Sequence, residues 1–285
     1  MIIWFIAAFV ILLTLGVLVL GVPSFTTKST STDGPWDLAK GPSIPTENLE
    51  QFAKNLNASI RVFYYIDSLP RTNTAMLDAS VPSFNTQSNT FDICELSSPN
   101  SCQHPGFVKL LNISDSLYIE LLQAPDASRP GLPKTQFVIR TQSVQKVSNT
   151  NTVKTYLETF ALPEFPIQKW VMLTISRSGN RINIYYNNRL VFSKNTRNIP
   201  ALLSGAGNLS VPQIRGTAKY LRTKDSVTNQ SEVNADYIQT ADTRGEPIEK
   251  LFQQINITLC PSGTCFEGPQ IRPSNPLLNW NSDVM

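Results

Sequence analysis

The spacing of apolar positions changes several times along this chain, and each change marks a segment. From Ile2 to Val22 the apolar residues are unbroken (IIWFIAAFVILLTLGVLVLGV), and Lys28 is the first charged side chain. A run that long without charge can cross a bilayer as a helix, so it predicts a transmembrane anchor over residues 1–22. A cleaved signal peptide is the competing expectation, but it calls for a basic leader ahead of a shorter apolar core, and no Lys or Arg precedes the run. Lys28 and Lys40 follow the run and favour a cytosolic position for that side, a bias that Asp33 and Asp37 offset.

Residues 23–45 are rich in Ser, Thr, Pro and Gly with no apolar period, which predicts a flexible tether. Thr46 then caps an expected short helix in which Leu49, Phe52, Ala53 and Leu56 recur at helical spacing. Past it the period becomes two. In SIRVFYYIDS, Ile60, Val62, Tyr64 and Ile66 alternate with Arg61, Phe63 and Tyr65, as a strand with a buried face requires. Further strand-like runs follow: SLYIELLQ, QFVIRTQSV, KTYLETFAL, WVMLTISR, RINIYYN, RLVFS and GTAKYLR. Many short strands separated by Gly, Pro and Asn predict a sandwich or barrel rather than a parallel α/β sheet. Ser178-Gly179-Asn180 and Asn187-Asn188 supply the turns that make WVMLTISRSGNRINIYYNNRLVFS three antiparallel strands.

One more short helix is expected over 231–238, with a Ser cap and with Val233 and Tyr237 on one face. The domain then runs over 46–247, and residues 248–285 form a proline-rich tail. No repeat of solenoid or propeller length occurs.

Composition alters this picture little. Twenty prolines against thirteen glycines suit a loop-rich, strand-rich chain. A net charge of +3, from scattered lysines and arginines, lacks the basic stripe that nucleic acid needs, so no nucleic-acid partner is expected. Four cysteines fall into two close pairs, Cys94 with Cys102 and Cys260 with Cys265, at spacings that suit local disulfides. A four-cysteine zinc site and free buried thiols remain open alternatives. The five glycosylation sequons are about what an Asn-, Ser- and Thr-rich chain yields by chance.

Catalytic chemistry finds little purchase. A sandwich glycosidase needs two carboxylates close together, usually on alternate residues of one strand. Glu120 and Glu158 each stand alone and read as solvated strand residues. His104, the chain's one histidine, sits in a Pro-flanked loop with no serine motif to partner it. Gly205-Ala206-Gly207 lacks the helix and lysine of a nucleotide site. Exposed aromatics are the remaining handle. Tyr185 and Tyr186 are adjacent on a strand, so one must face out of the core, and Trp280 in the tail is a further candidate partner contact.

The stretch Pro166 to Trp170, its apolar strand, the turn, INIYYNN and RLVFS resemble laminin G-like and pentraxin-like domains, with Asn187-Asn188 standing where those families carry Asn-Gly. The resemblance spans about residues 107–245. It implies an all-β, antiparallel, concanavalin A-like jelly-roll sandwich carrying one transmembrane helix and one or two short helices. More narrowly, LLQAPDASRPGLPKTQFVIRTQ, ADTRGEP and LCPSGTCFEGP look like membrane-anchored proteins of large nucleocytoplasmic DNA viruses. That implies a non-enzymatic virion component joining an internal membrane to capsid proteins, with a glycan-binding attachment protein as the alternative and a diverged glycosidase as a lesser one. Family resemblance alone also allows Ca2+ at the rim through Asp126, Asp236 or Asp242, though their spacing matches no calcium loop and no metal site is nominated. Asp126 and Arg129 equally suit a loop-ordering ion pair.

Overall fold

The computed structural model describes residues 29–70, 92–96, 102, 106–123, 134–147 and 150–248. In chain order its strands are β1 (Ser29–Thr32), β2 (Trp36–Asp37), β3 (Ser43–Ile44), β4 (Asn57–Ser68), β5 (Asp92–Glu95), β6 (Phe107–Ile113), β7 (Leu117–Leu122), β8 (Thr135–Val147), β9 (Thr150–Leu162), β10 (Trp170–Ser178), β11 (Arg181–Tyr186), β12 (Arg189–Asn195), β13 (Ile199–Pro200), β14 (Gly207–Asn208) and β15 (Arg215–Lys224). Helix α1 (Thr46–Lys54) precedes β4, and helix α2 (Gln230–Thr240) follows β15.

These strands form two antiparallel sheets. The first runs β1-β15-β4-β10-β11-β12 with β2 also on β15, and the second runs β3-β14-β6-β7-β8-β9-β5 with β13 on β8. The period-two pattern explains how they meet. Ile60, Val62, Tyr64 and Ile66 of β4 share one buried cluster with Leu117, Ile119 and Leu121 of β7, so the inner faces of both sheets build a common core. Aromatic edges lock the layers: Phe192 of the first sheet meets Phe160 and Phe137 of the second at 5.2 and 6.2 Å. The chain is a β-sandwich with few helices, as expected, and every strand-like run named from the sequence is a strand.

Helix α1 lays Leu49, Phe52 and Ala53 against the core. Thr46 is its first helical residue rather than its cap, and Pro45 occupies the cap without a side-chain hydrogen bond. Helix α2 begins at Gln230, and its cap is Asn229, not Ser231: the Asn229 side chain accepts from Glu232 N and the Glu232 carboxylate accepts from Asn229 N.

The expected tether requires correction. Residues 29–44 belong to the sandwich: β1 pairs with β15 from Ser29↔Lys224 to Thr32↔Leu221, β2 also pairs with β15, and β3 pairs with β14. Edge pairing uses backbone groups, which a Ser/Thr-rich stretch supplies as well as an apolar one, so the absence of an apolar period did not make this segment free. The apolar run Ile2–Val22 lies outside the described residues, as do Cys260, Cys265, Trp280, His104, Asp126 and Arg129. Among the described residues no helix is long and apolar enough to cross a membrane.

Cys94 and Cys102 form a disulfide. It ties β5, at the edge of the second sheet, to Cys102, which packs on Tyr118, Val138 and Leu157 of that sheet's outer face. Closing so short a loop removes about 2.5 kcal/mol of unfolded-state entropy. The double variant Cys94→Ser, Cys102→Ser is therefore expected to lower urea stability by that order, with Cys260 and Cys265 untouched as an internal control. A variant as stable as the parent would show that the bond constrains nothing.

The core phenols carry a pH prediction. Tyr64 donates to Leu209 O (3.0 Å) and Tyr186 to Pro163 O (3.3 Å), and burial pushes their pKa values and that of Tyr118 upward. A raised folded pKa means the unfolded chain ionises first, near pH 10, so stability present below that pH is lost as the pH climbs. Burial of Arg177 acts oppositely over the same range, because its guanidinium is lowered to about 10. Three phenols outweigh one guanidinium. Alkaline unfolding is expected above pH 10, with these phenols ionising only as the chain unfolds, read by absorbance at 295 nm. Their ionisation ahead of the loss of structure would contradict the packing described.

Candidate functional site

The outer face of the first sheet carries an apolar half and a polar half beneath α2. In the apolar half, Phe63, Met172 and Tyr185 pack under Val233 of the helix, with Tyr237 and Trp170 at the margin. Only Val233 of α2 is buried, so the helix needs further attachment. In the polar half the strand register sets side chains in rows. Arg61 of β4 lies between Arg222 of β15 and Thr174 of β10, and Ser59 lies between Lys224 and Ser176. Two arginines directly opposite one another repel unless an anion joins them.

Asp236 of α2 supplies one negative charge. Its Oδ2 lies 2.6 Å from Arg61 Nη1 and 3.9 Å from Lys224 Nζ. The ion pair acts as a strut that fixes the helix to the sheet, yet it does not satisfy the guanidinium: Arg61 Nε and Nη1 have no aligned hydrogen-bond acceptor. Arg61 is 7% exposed and Thr174, whose Oγ1 is also without a partner, is 2% exposed. Burial lowers the Arg61 pKa, Asp236 raises it again, and Arg222 lowers it further.

Together with Arg222, Lys224, Asp236 and Thr228, these groups line a shallow recess with room for about one water molecule. Its walls are fixed by their own bonds. Ser59 Oγ and Thr228 Oγ1 pair at 2.7 Å, and Thr228 N donates to Ser176 Oγ at 2.9 Å. Three cationic side chains face one carboxylate, so the recess holds a net excess of two positive charges over a set of buried, unanswered donors. Chemically, it can accept a hydrogen-bond acceptor and cannot readily hold a cation.

The residues named from the sequence fall elsewhere. Tyr185 does face outward, but α2 covers it, and Tyr186 points into the core; at 3% and 7% exposed, neither ring is open to a ligand or partner. Glu120 and Glu158 are likewise not solvated. Glu120 is 5% exposed and accepts from Gln136 Nε2, and Glu158 is fully buried within a net of hydrogen bonds. They also lie on opposite faces of the second sheet. Glu158 shares the inner face with Phe160, and Glu120 alternates with the inward Ile119 and Leu121. Asp236 is the strut just described, and Asp242 is a turn residue accepting from Arg244 N and Glu246 N, both at 2.8 Å. Among the described residues no three His, Cys, Asp or Glu side chains converge on a common point.

Sequence reading missed Arg61 and Thr174. A lone arginine within an otherwise apolar alternating strand was the available signal. Its strand neighbours Thr174 and Arg222 are more than 100 positions away in the chain, and only the β4–β10 and β4–β15 registers bring them together.

The fold and this face define a β-sandwich with a helix-covered outer sheet and a charged recess beneath the helix. No protein-family model and no curated protein matches the chain. Several solved structures resemble this chain at low identity. Domain 4 of AbnA, a GH43 extracellular arabinanase from Geobacillus stearothermophilus in complex with arabinotriose, is 12% identical, with 73% of this chain and 80% of that chain covered at a TM-score of 0.35. The CBM40 of the Ruminococcus gnavus IT-sialidase bound to α2,3 sialyllactose is 8% identical, with 73% and 95% covered at 0.37. The binding domain of botulinum neurotoxin DC in complex with rat synaptotagmin II is 10% identical at 0.38, covering 79% of this chain and about half, 51%, of that one. Likeness at this level decides neither ligand nor activity.

Proposed function

We propose that this chain is a non-enzymatic glycan-binding β-sandwich protein, displayed at a membrane by Ile2–Val22. The observation that carries the reading is the recess on the outer sheet face, where the buried Arg61 Nε and Thr174 Oγ1 have no hydrogen-bond partner. Buried donors without partners cost about 1–3 kcal/mol each, so a fold that keeps them beside an opening is organised for an acceptor from outside. Sugars are dense in such acceptors. The burial and opposite facing of Glu120 and Glu158 remove those two as a hydrolytic pair. The link to virion and capsid implied by the narrower resemblance gains no support from the fold or from the matches, and glycan binding is the reading adopted.

Full-length protein on a glycan array, with calcium and with chelator, tests this directly. Binding to a subset of glycans is expected, unchanged by the chelator and reduced by Thr174→Val. An array with no signal above background would sink the glycan reading. Deleting residues 2–22 is expected to release a folded, soluble protein, because the described strands begin at Ser29. Continued sedimentation with membranes after that deletion would refute the anchor.

A further inference from the structure

We infer that the chemical group taken by the recess is a single oxyanion of one negative charge, a carboxylate or a sulfate ester, so that the glycans bound are acidic ones. This rests on the glycan reading for the carrier of the group, but the group itself follows from the recess. Neutral hydroxyls would answer the open donors of Arg61 and Thr174 and leave the charge excess standing. The directly opposed Arg61 and Arg222 repel along the sheet, and among the described residues Asp236 pairs with Arg61 and Lys224 rather than with Arg222. A ligand oxyanion between Arg61 and Arg222 satisfies Arg61 Nε, relieves the repulsion and accepts from Thr174 Oγ1, three defects met by one group.

Asp236 then sets the charge of the ligand. Its carboxylate stands at the same opening, and its repulsion grows with ligand charge, so a monoanion is admitted in preference to a dianionic phosphate monoester. Asp236 also competes with the ligand for Arg61. The recess has room for about one water-sized group, so it takes a single oxygen of the substituent and leaves the remainder of the sugar on the surface.

The test is a titration of full-length protein followed by NMR at the Arg61 Nε–H and the Thr174 amide. Acetate and methyl sulfate are expected to give saturable shifts that chloride at equal ionic strength does not, with methyl phosphate at least threefold weaker. Lys224→Met, at the half-exposed mouth, is expected to weaken acetate at least threefold, and Asp236→Asn to strengthen it by a similar factor while abolishing the preference over methyl phosphate. Thr174→Val removes a hydroxyl that has no partner in the fold, so it stays folded and still weakens binding, which keeps the test sound where an Arg61 variant does not fold. Shifts matched by chloride, or indifferent to Lys224→Met and Thr174→Val, overturn the inference.

A second arm compares methyl glucuronide and glucose 6-sulfate with methyl glucoside. Tenfold preference for the acidic sugars supports inference and reading together. Equal binding of all three sugars overturns the oxyanion inference and leaves glycan binding standing. Saturable acetate binding without binding of any sugar on the array, or with binding of an acidic peptide only, upholds the oxyanion site and overturns its assignment to glycans.

Discussion

Replacing Glu158 with glutamine is expected to destabilise the protein by about 3 kcal/mol, although the substitution changes one atom. Glu158 is fully buried on β9. Its Oε2 accepts from Arg197 N at 2.8 Å, and its Oε1 accepts from Asn198 N at 2.9 Å and from Thr141 Oγ1 at 2.8 Å. Both oxygens therefore face backbone N–H groups. A glutamine presents one oxygen and one NH2, so either orientation of its amide sets an N–H against a backbone N–H donor. The segment held is the crossing from β12 in the first sheet to β13 on the second, which makes this carboxylate a stitch between layers. A lowered urea midpoint with an unchanged m value is expected, together with faster hydrogen exchange at the Arg197 and Asn198 amides. A loss under about 0.5 kcal/mol with exchange unaltered would show that the crossing is held by something else.

Arg177→Met is the second large effect, again expected near 3 kcal/mol. Arg177 is 2% exposed and lies on the inner face of β10 with its guanidinium 5.6 Å from the Phe52 ring. Its Nη2 donates to Phe52 O at 2.8 Å and Ala53 O at 3.4 Å, and also to Asn55 O. Those carbonyls end α1, where orphan acceptors and the negative end of the helix dipole collect. Burial lowers the guanidinium pKa to about 10, which leaves it charged at neutral pH. Methionine fills much of the same volume but donates nothing, so the carbonyls remain buried and unanswered. Exchange at the amides of α1 should accelerate before that of β4. A Met variant of parental stability would mean that the charge is dispensable and the helix end finds water.

The strands were legible because their signal is local. Ile60, Val62, Tyr64 and Ile66 alternate whatever lies across from them, and a pleated backbone turns that alternation into an inner face. The hairpins of β10 to β12 were legible for the same reason, with Gly179 and Asn187 adopting the positive φ their turns require. Helix α2 was found from Val233 and Tyr237, but its start was misplaced because Ser231 and Asn229 are both capping residues and the sequence does not rank them.

What sequence could not supply is exposure. Alternation requires one of Tyr185 and Tyr186 to point outward; that residue is Tyr185, and it is buried anyway because α2 folds over it. Glu158 reads as an isolated carboxylate on an ordinary strand, and becomes the acceptor at a crossing between sheets only when residues 196–198 are brought to it. Residues 29–44 have the composition of a linker and serve as edge strands, since the free hydrogen-bonding edges of β15 and β14 ask for backbone rather than for particular side chains.

By itself, then, the order of residues determined the all-β class, most strand positions and two turns, because period and backbone preference act within a few residues. The tertiary structure alone decided the recess, since Arg61, Thr174, Arg222 and Asp236 acquire a common charge and a common opening only through strand register and helix placement. Electrostatic sites depend on distance in space, and in an antiparallel sandwich that distance is unrelated to separation along the chain.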